Sequence, residues 1–228
     1  MTRLNQACCY QTVKNEPMTP KERAKRSSVW VGVTTVTAAI CLLAAGLSAP
    51  GSVQFFVAST ATAIVYFLVF FIVPTKPPVS EYGHYRDLGI GLLAGLALLG
   101  VFIAGALLIY QLPALTHPVQ GLLENARGGA LLPSLLVTAV NGVAEELHFR
   151  RTIPSTITGS PWKKIVISLV TYMAVSSMLG VPLLVLAALV VGAVAHWLVH
   201  RGYGLLAPIV MHLTWSLGMA LLLPVILQ

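Results

Sequence analysis

The chain has 228 residues, of which 57% are hydrophobic and only 9% charged, with a mean hydropathy of +0.84. A water-soluble fold of this length cannot hide so much apolar surface, so a soluble domain is excluded. The net charge of +7 is accounted for by charge sidedness in a membrane and attraction to anionic lipid; without an aromatic-basic recognition motif it calls for no nucleic-acid partner.

Residues 1–28 are a polar tail with a basic run, KERAKRSS. They lack the apolar core and small-residue cleavage site of a secretory signal, so the first span is expected to serve as an uncleaved signal anchor. Cys8 and Cys9 fall in this tail and Cys41 in a span, which builds no disulfide framework. The Cys8/Cys9 pair reads as inert tail, with a lipid anchor as the alternative. Apolar runs long enough to cross ~30 Å of hydrocarbon as helix lie near residues 29–48, 53–74, 88–110, 130–149, 163–180, 182–200 and 205–227. The predicted fold is therefore all-α, a polytopic membrane protein of about seven transmembrane helices. With the N-terminus in the cytoplasm, Arg127 is the one Lys or Arg left outside, which predicts an N-in, C-out topology.

Two regions differ in character. Residues 29–110 form a three-helix N-terminal membrane scaffold with few polar side chains, and Gly89, Gly91, Gly95 and Gly100 in GIGLLAGLALLG suit close helix packing. Residues 111–129 are an external loop. Residues 130–228 hold Asn141, Glu145, Glu146, His148, Ser176, Ser177, His196, His200, His212 and Ser216. Ionisable groups inside spans are costly and mark a site or pathway, so function is expected in this last region.

Glu145 and Glu146 are followed by Arg150, one helical turn nearer the cytoplasm. Glu146 and Arg150 have the favourable i,i+4 orientation, which predicts one neutralised carboxylate. Glu145 lies about 100° round the helix and is left for another task. The competing reading is that both glutamates merely balance charge at the interface beside Arg150 and Arg151. His212 and His196 are expected at the depth of Glu145, and a carboxylate with one or two imidazoles at one level can activate water or hold a metal.

EELHFR in a span, then SPWKKIVISLVTYMAVSS, then LAALVVGAVAHWLVHRGYGLLAPIVMHLTWS together resemble the CPBP family of integral membrane proteins, the CAAX-processing and bacteriocin-processing group also called Abi. The resemblance covers about residues 130–222 and implies a CPBP-like core in the last four spans. In that family the first glutamate of the pair and the histidines are taken to activate water, with an asparagine helping to form an oxyanion hole. Those roles carry over to Glu145 and His212, with Glu146 and Arg150 completing the motif. The second motif, F-x-x-x-H, reads Tyr172 to Ser176, and the last, H-x-x-x-N or H-x-x-x-D, reads His212 to Ser216. Serine supplies no imidazole at Ser176, although the Ser216 hydroxyl can still donate to an oxyanion. His196 and His148 are the candidates to replace the missing imidazole; the plainer alternative is that His196 and His200 only pack or face the interface.

The resemblance implies an intramembrane endopeptidase acting at the cytoplasmic leaflet on membrane-associated peptides or proteins, in a bacterial plasma membrane. Whether a divalent metal such as zinc takes part is left open. The alternative is a pseudoenzyme that keeps the fold and scaffolds or regulates a membrane or cell-envelope partner. H-E-x-x-H, G-x-S-G and G-x-G-D, the signatures of other intramembrane hydrolases, are all missing, and no internal repeat suggests a transporter.

Overall fold

The computed structural model describes residues 19–73, 75–109, 124 and 131–226. The Cys8/Cys9 tail, Arg127 and nearly all of the loop expected to be external lie outside the described residues. The helices are α1 (Pro20–Gly46), α2 (Val53–Ile72), α3 (His84–Ile109), α4 (Leu131–Glu146), α5 (Ile153–Thr156), α6 (Pro161–Ser176), α7 (Pro182–His200) and α8 (Leu206–Ile226). Among the described residues there is no strand. Among the described residues six helices are long and apolar enough to cross a membrane. The remaining predicted span is α4, with 16 residues, prolonged through a π-helical turn, Leu147–Thr152, into α5. Its C-terminal end carries the charged EELHFRR run.

Local chemistry accounts for the helix starts. Thr19 and Glu22 form a capping box at α1, and Ser52 and Ser160 cap α2 and α6. Proline occupies the first turn of α1, α6 and α7, where its missing N–H costs nothing. Pro154 has the opposite effect, because its ring collides with the carbonyl four residues back and it offers no N–H. The chain relieves this by widening into the π turn: Ile153 N donates to the His148 carbonyl, Thr152 Oγ1 to Leu147 O at 3.0 Å, and Ser168 Oγ on α6 to the Phe149 carbonyl. Such widened turns recur at functional sites.

α4 and α8 pack together at the centre. The α1–α2 pair leans on α4, α3 lies against α8, and the α6–α7 hairpin closes a third side. One apolar cluster joins α1, α2, the π turn and α6 around Tyr66, Phe149 and Tyr172. A second joins α3, α7 and α8 around Leu198, Met211 and Trp215. The three N-terminal helices therefore flank the polar core on two sides. Loops predicted to share a membrane face also meet: Gly204 N donates to Asp87 Oδ2 at 3.1 Å, and Arg151 donates to Thr75 O at 2.6 Å.

Of the four glycines singled out in α3, two make close contacts. A Cβ on Gly91 would stand 2.5 Å from the Ala207 carbonyl oxygen, and one on Gly95 2.6 Å from Thr214 Cβ, whereas Gly89 and Gly100 have nothing within 4 Å. Residues four apart share a helix face and the other two point elsewhere. Gly91→Ala should therefore lower stability by about 1–3 kcal/mol through overpacking. Gly100→Ala should be neutral or gain up to about 1 kcal/mol from helix propensity. Thermal unfolding of the purified variants checks the contrast.

Candidate functional site

α4 presents its two glutamates in different directions. Gly142 and Glu146, four residues apart, face α8; a Cβ on Gly142 would touch Leu213 at 3.2 Å and His212 at 3.7 Å. That close approach lets His212 Nδ1 reach Glu146 Oε1 at 2.7 Å. Glu146 Oε2 stands 3.0 Å from Arg150 Nε, both side chains fully buried, although the two groups are off the line of a hydrogen bond. The i,i+4 pairing read from the sequence is present, with both side chains buried.

Glu145, about 100° round the helix, faces α6 instead. Tyr172 OH donates to Glu145 Oε2 at 2.8 Å, a contact that sequence reasoning missed. His212 Nε2 lies 3.9 Å from the same carboxylate, and the Glu145 side chain retains 19% of its exposure. The histidine thus spans both glutamates, tightly bound to Glu146 and loosely facing Glu145. As Arg150's counter-ion, Glu146 is an acceptor only, so Nδ1 carries a proton and Nε2 is the nitrogen turned toward Glu145. A histidine oriented by a carboxylate on one nitrogen and open on the other is the arrangement of acid–base catalysis.

His196 is buried on α7, and its Nε2 has no partner. Its electrostatic neighbour is Arg150; it makes no hydrogen bond or ion pair with either glutamate. His148 does not face the glutamates either. Its Nε2 is 3.0 Å from Thr35 Oγ1 on α1, and its ring stacks on Tyr66 with centroids 4.4 Å apart. His200 lies at the end of α7 beside Trp162. Ser176 is the half-buried last residue of α6. Ser216 is half-buried one turn along α8 from His212, with an unpartnered hydroxyl.

Among the described residues no three His, Cys, Asp or Glu side chains are grouped so as to hold a metal ion. Zinc takes three or four such ligands, so the donor set around His212 does not fit one. Residues 127–218 match the sequence model of a family described as Rce1-like, the Type II CAAX prenyl endopeptidase Rce1-like proteins. That stretch contains Glu145, Glu146, Arg150, Tyr172, His196, His212 and Ser216. No curated protein and no solved structure matches the chain.

Proposed function

We propose that this chain, whose residues 127–218 match the Type II CAAX prenyl endopeptidase Rce1-like family model, is an intramembrane endopeptidase in which Glu145 activates water. The observation that carries the reading is the Glu145–His212–Glu146–Arg150 row, with the 3.9 Å separation between Glu145 Oε2 and His212 Nε2. A water held there can donate one proton to each group. Glu145 takes a proton as the oxygen attacks the carbonyl carbon of the peptide bond, forming the new C–O bond. Ser216 donates to the resulting oxyanion. As the C–N bond breaks, Glu145 returns the proton to the leaving nitrogen, giving a carboxylic acid and an amine. His212 holds the attacking oxygen, with Glu146 fixing its ring and Arg150 compensating Glu146.

The substrate class this reading assigns is a membrane-associated peptide or protein, in the first instance a prenylated CAAX C-terminus. The second reading, a pseudoenzyme that scaffolds a membrane partner, is favoured by Ser176 and Ser216, which stand where the family motifs place histidine and asparagine. A prenylated peptide offered to the protein in nanodiscs separates the two. Cleavage that disappears in Glu145→Gln supports the enzyme, and no cleavage by the unaltered protein supports the scaffold.

The orientation proposed is N-terminus in the cytoplasm, with the glutamate row near that leaflet. Reporter fusions after Lys25, Thr75 and Thr158 should read cytoplasmic and one after Gln228 external. A cytoplasmic signal after Gln228 would overturn the seven-span topology.

A further inference from the structure

Asp87 is a buried carboxylate outside the glutamate row. It stands in the first turn of α3 and is 1% exposed. Its Oδ1 accepts from Ser80 Oγ at 2.7 Å and its Oδ2 from Gly204 N at 3.1 Å, two residues before α8 begins. From there α3 and α8 run side by side in the same direction: Gly91 meets Ala207, Gly95 meets Met211 and Thr214, and Leu99 meets Gly218. Parallel helices bring their positive N-terminal ends together, and a carboxylate between those ends is favoured by both.

The small-residue face of α3 sets how near it comes to α8, but such contacts have little direction along the axis. Hydrogen bonds do have direction. Among the described residues they reach the α8 stretch at Gly202, whose carbonyl accepts from Glu81 N at 2.9 Å, at Gly204, and at His212, held by Glu146. Tyr82 also packs on Tyr203, ring centroids 4.8 Å apart. The segment making these contacts, residues 75–83, is tied at its other end to the helix of the glutamates. Arg151, in the π turn that follows Glu146, donates to Thr75 O at 2.6 Å and lies over the Phe70 ring, 4.0 Å from its centroid. A strap thus runs from the end of the glutamate helix to the start of the histidine helix. His212 lies six residues into α8, ~9 Å along its axis, so the height of α8 sets where the imidazole stands against Glu145 and Glu146.

We propose that Asp87 is a positioning residue of the glutamate–histidine row: by holding Ser80 and Gly204 together it fixes the height of α8, and with it the place of His212. The inference rests on the endopeptidase reading only where hydrolysis is measured.

The test compares Asp87→Asn, Asp87→Ala and a covalent replacement for the contact. A Cβ on Gly204 would stand 3.2 Å from Ser80 Cβ and 2.8 Å from Asp87 Oδ2. Asp87→Ala clears that space, and a small shift brings the two Cβ atoms to the ~3.5–4.5 Å of a disulfide. The triple variant Asp87→Ala/Ser80→Cys/Gly204→Cys, oxidised, with the bond verified by peptide mass spectrometry, therefore restores the tie without the carboxylate. Nitrogen-15 spectra of the histidine imidazoles in lipid, with His212 assigned by its loss in His212→Gln, read the His212–Glu146 hydrogen bond whether or not the chain hydrolyses anything. The His212 signal should be altered in Asp87→Ala, kept in Asp87→Asn, which retains an oxygen for Gly204, restored in the oxidised triple variant and altered again on reduction. With a prenylated peptide, kcat should fall on the order of 10- to 100-fold in Asp87→Ala, with KM little changed, and recover on oxidation of the triple variant. Should Asp87→Ala yield no folded protein, the oxidised triple variant should fold and show the unaltered His212 signal. An unchanged His212 signal in folded Asp87→Ala, or an oxidised triple variant that stays unfolded or keeps the altered signal, would overturn the proposal. Absence of hydrolysis by the unaltered protein, with the His212 signals behaving as expected, would overturn the endopeptidase reading and leave the role of Asp87 supported.

Discussion

Arg150→Ala should be the most damaging single substitution in the chain, costing about 3–5 kcal/mol of stability. Removing the guanidinium strands Glu146, whose side chain is fully buried, and no other cation is paired with it apart from the ring of His212. The loss exceeds the net worth of the ion pair, because what is measured is an uncompensated charge in low dielectric. A second substitution distinguishes this cause from lost packing. Glu146→Gln in the Arg150→Ala background removes the buried charge while keeping an acceptor for His212, so it should recover most of the deficit. Thermal unfolding in detergent, with folded yield from size exclusion, reads both steps. Equal instability of the single and double variants would mean that the Arg150 stem and its contact with Tyr172 matter more than the charge.

Glu145→Gln should do the reverse: lower hydrolysis by about 10²–10⁴-fold, the range for loss of a general base, while folded yield stays close to that of the unaltered protein. The amide oxygen can still accept from Tyr172, so the 2.8 Å hydrogen bond has a replacement. No partner charge is stranded, because Arg150 and His212 are both held by Glu146. Tyr172→Phe gives a graded companion. It removes the one hydroxyl that aims Glu145, a bond to a carboxylate worth about 1.5–3 kcal/mol, so turnover should fall roughly tenfold or more. Activity and folded yield measured on the same preparations keep the two effects apart. Parallel loss of both in Glu145→Gln would reassign Glu145 to a structural role.

The parts of this architecture that depend on local spacing were legible in the sequence. Long apolar runs place the spans, and the four-residue step from Glu146 to Arg150 fixes a neighbour on one helix face. What depends on rotation between helices was not. His148 is one turn from Glu145, yet it is aimed at Thr35 and Tyr66 because the chain widens into the π turn there. Pro154, four residues after Arg150, was the available signal for that widening. Tyr172 occupies a motif position ordinarily filled by phenylalanine, and its extra hydroxyl is what reaches Glu145. His196 is buried but makes no hydrogen bond or ion pair with either glutamate, and an expected depth carries no information on azimuth. The pairing of α3 with α8 is likewise invisible in the chain order, although Gly91 and Gly95 at a four-residue spacing marked the face it uses.

Delivery of water to a peptide bond by Glu145 is the central proposal, and isotope incorporation tests it directly. Full-length protein in nanodiscs is incubated with a prenylated CAAX peptide in water enriched in oxygen-18, and the product is weighed by mass spectrometry. The expected result is cleavage with one heavy oxygen in the new carboxyl terminus from the first turnover, abolished in Glu145→Gln at unchanged folded yield. Cleavage that continues undiminished in Glu145→Gln would contradict the assignment of Glu145 as the base.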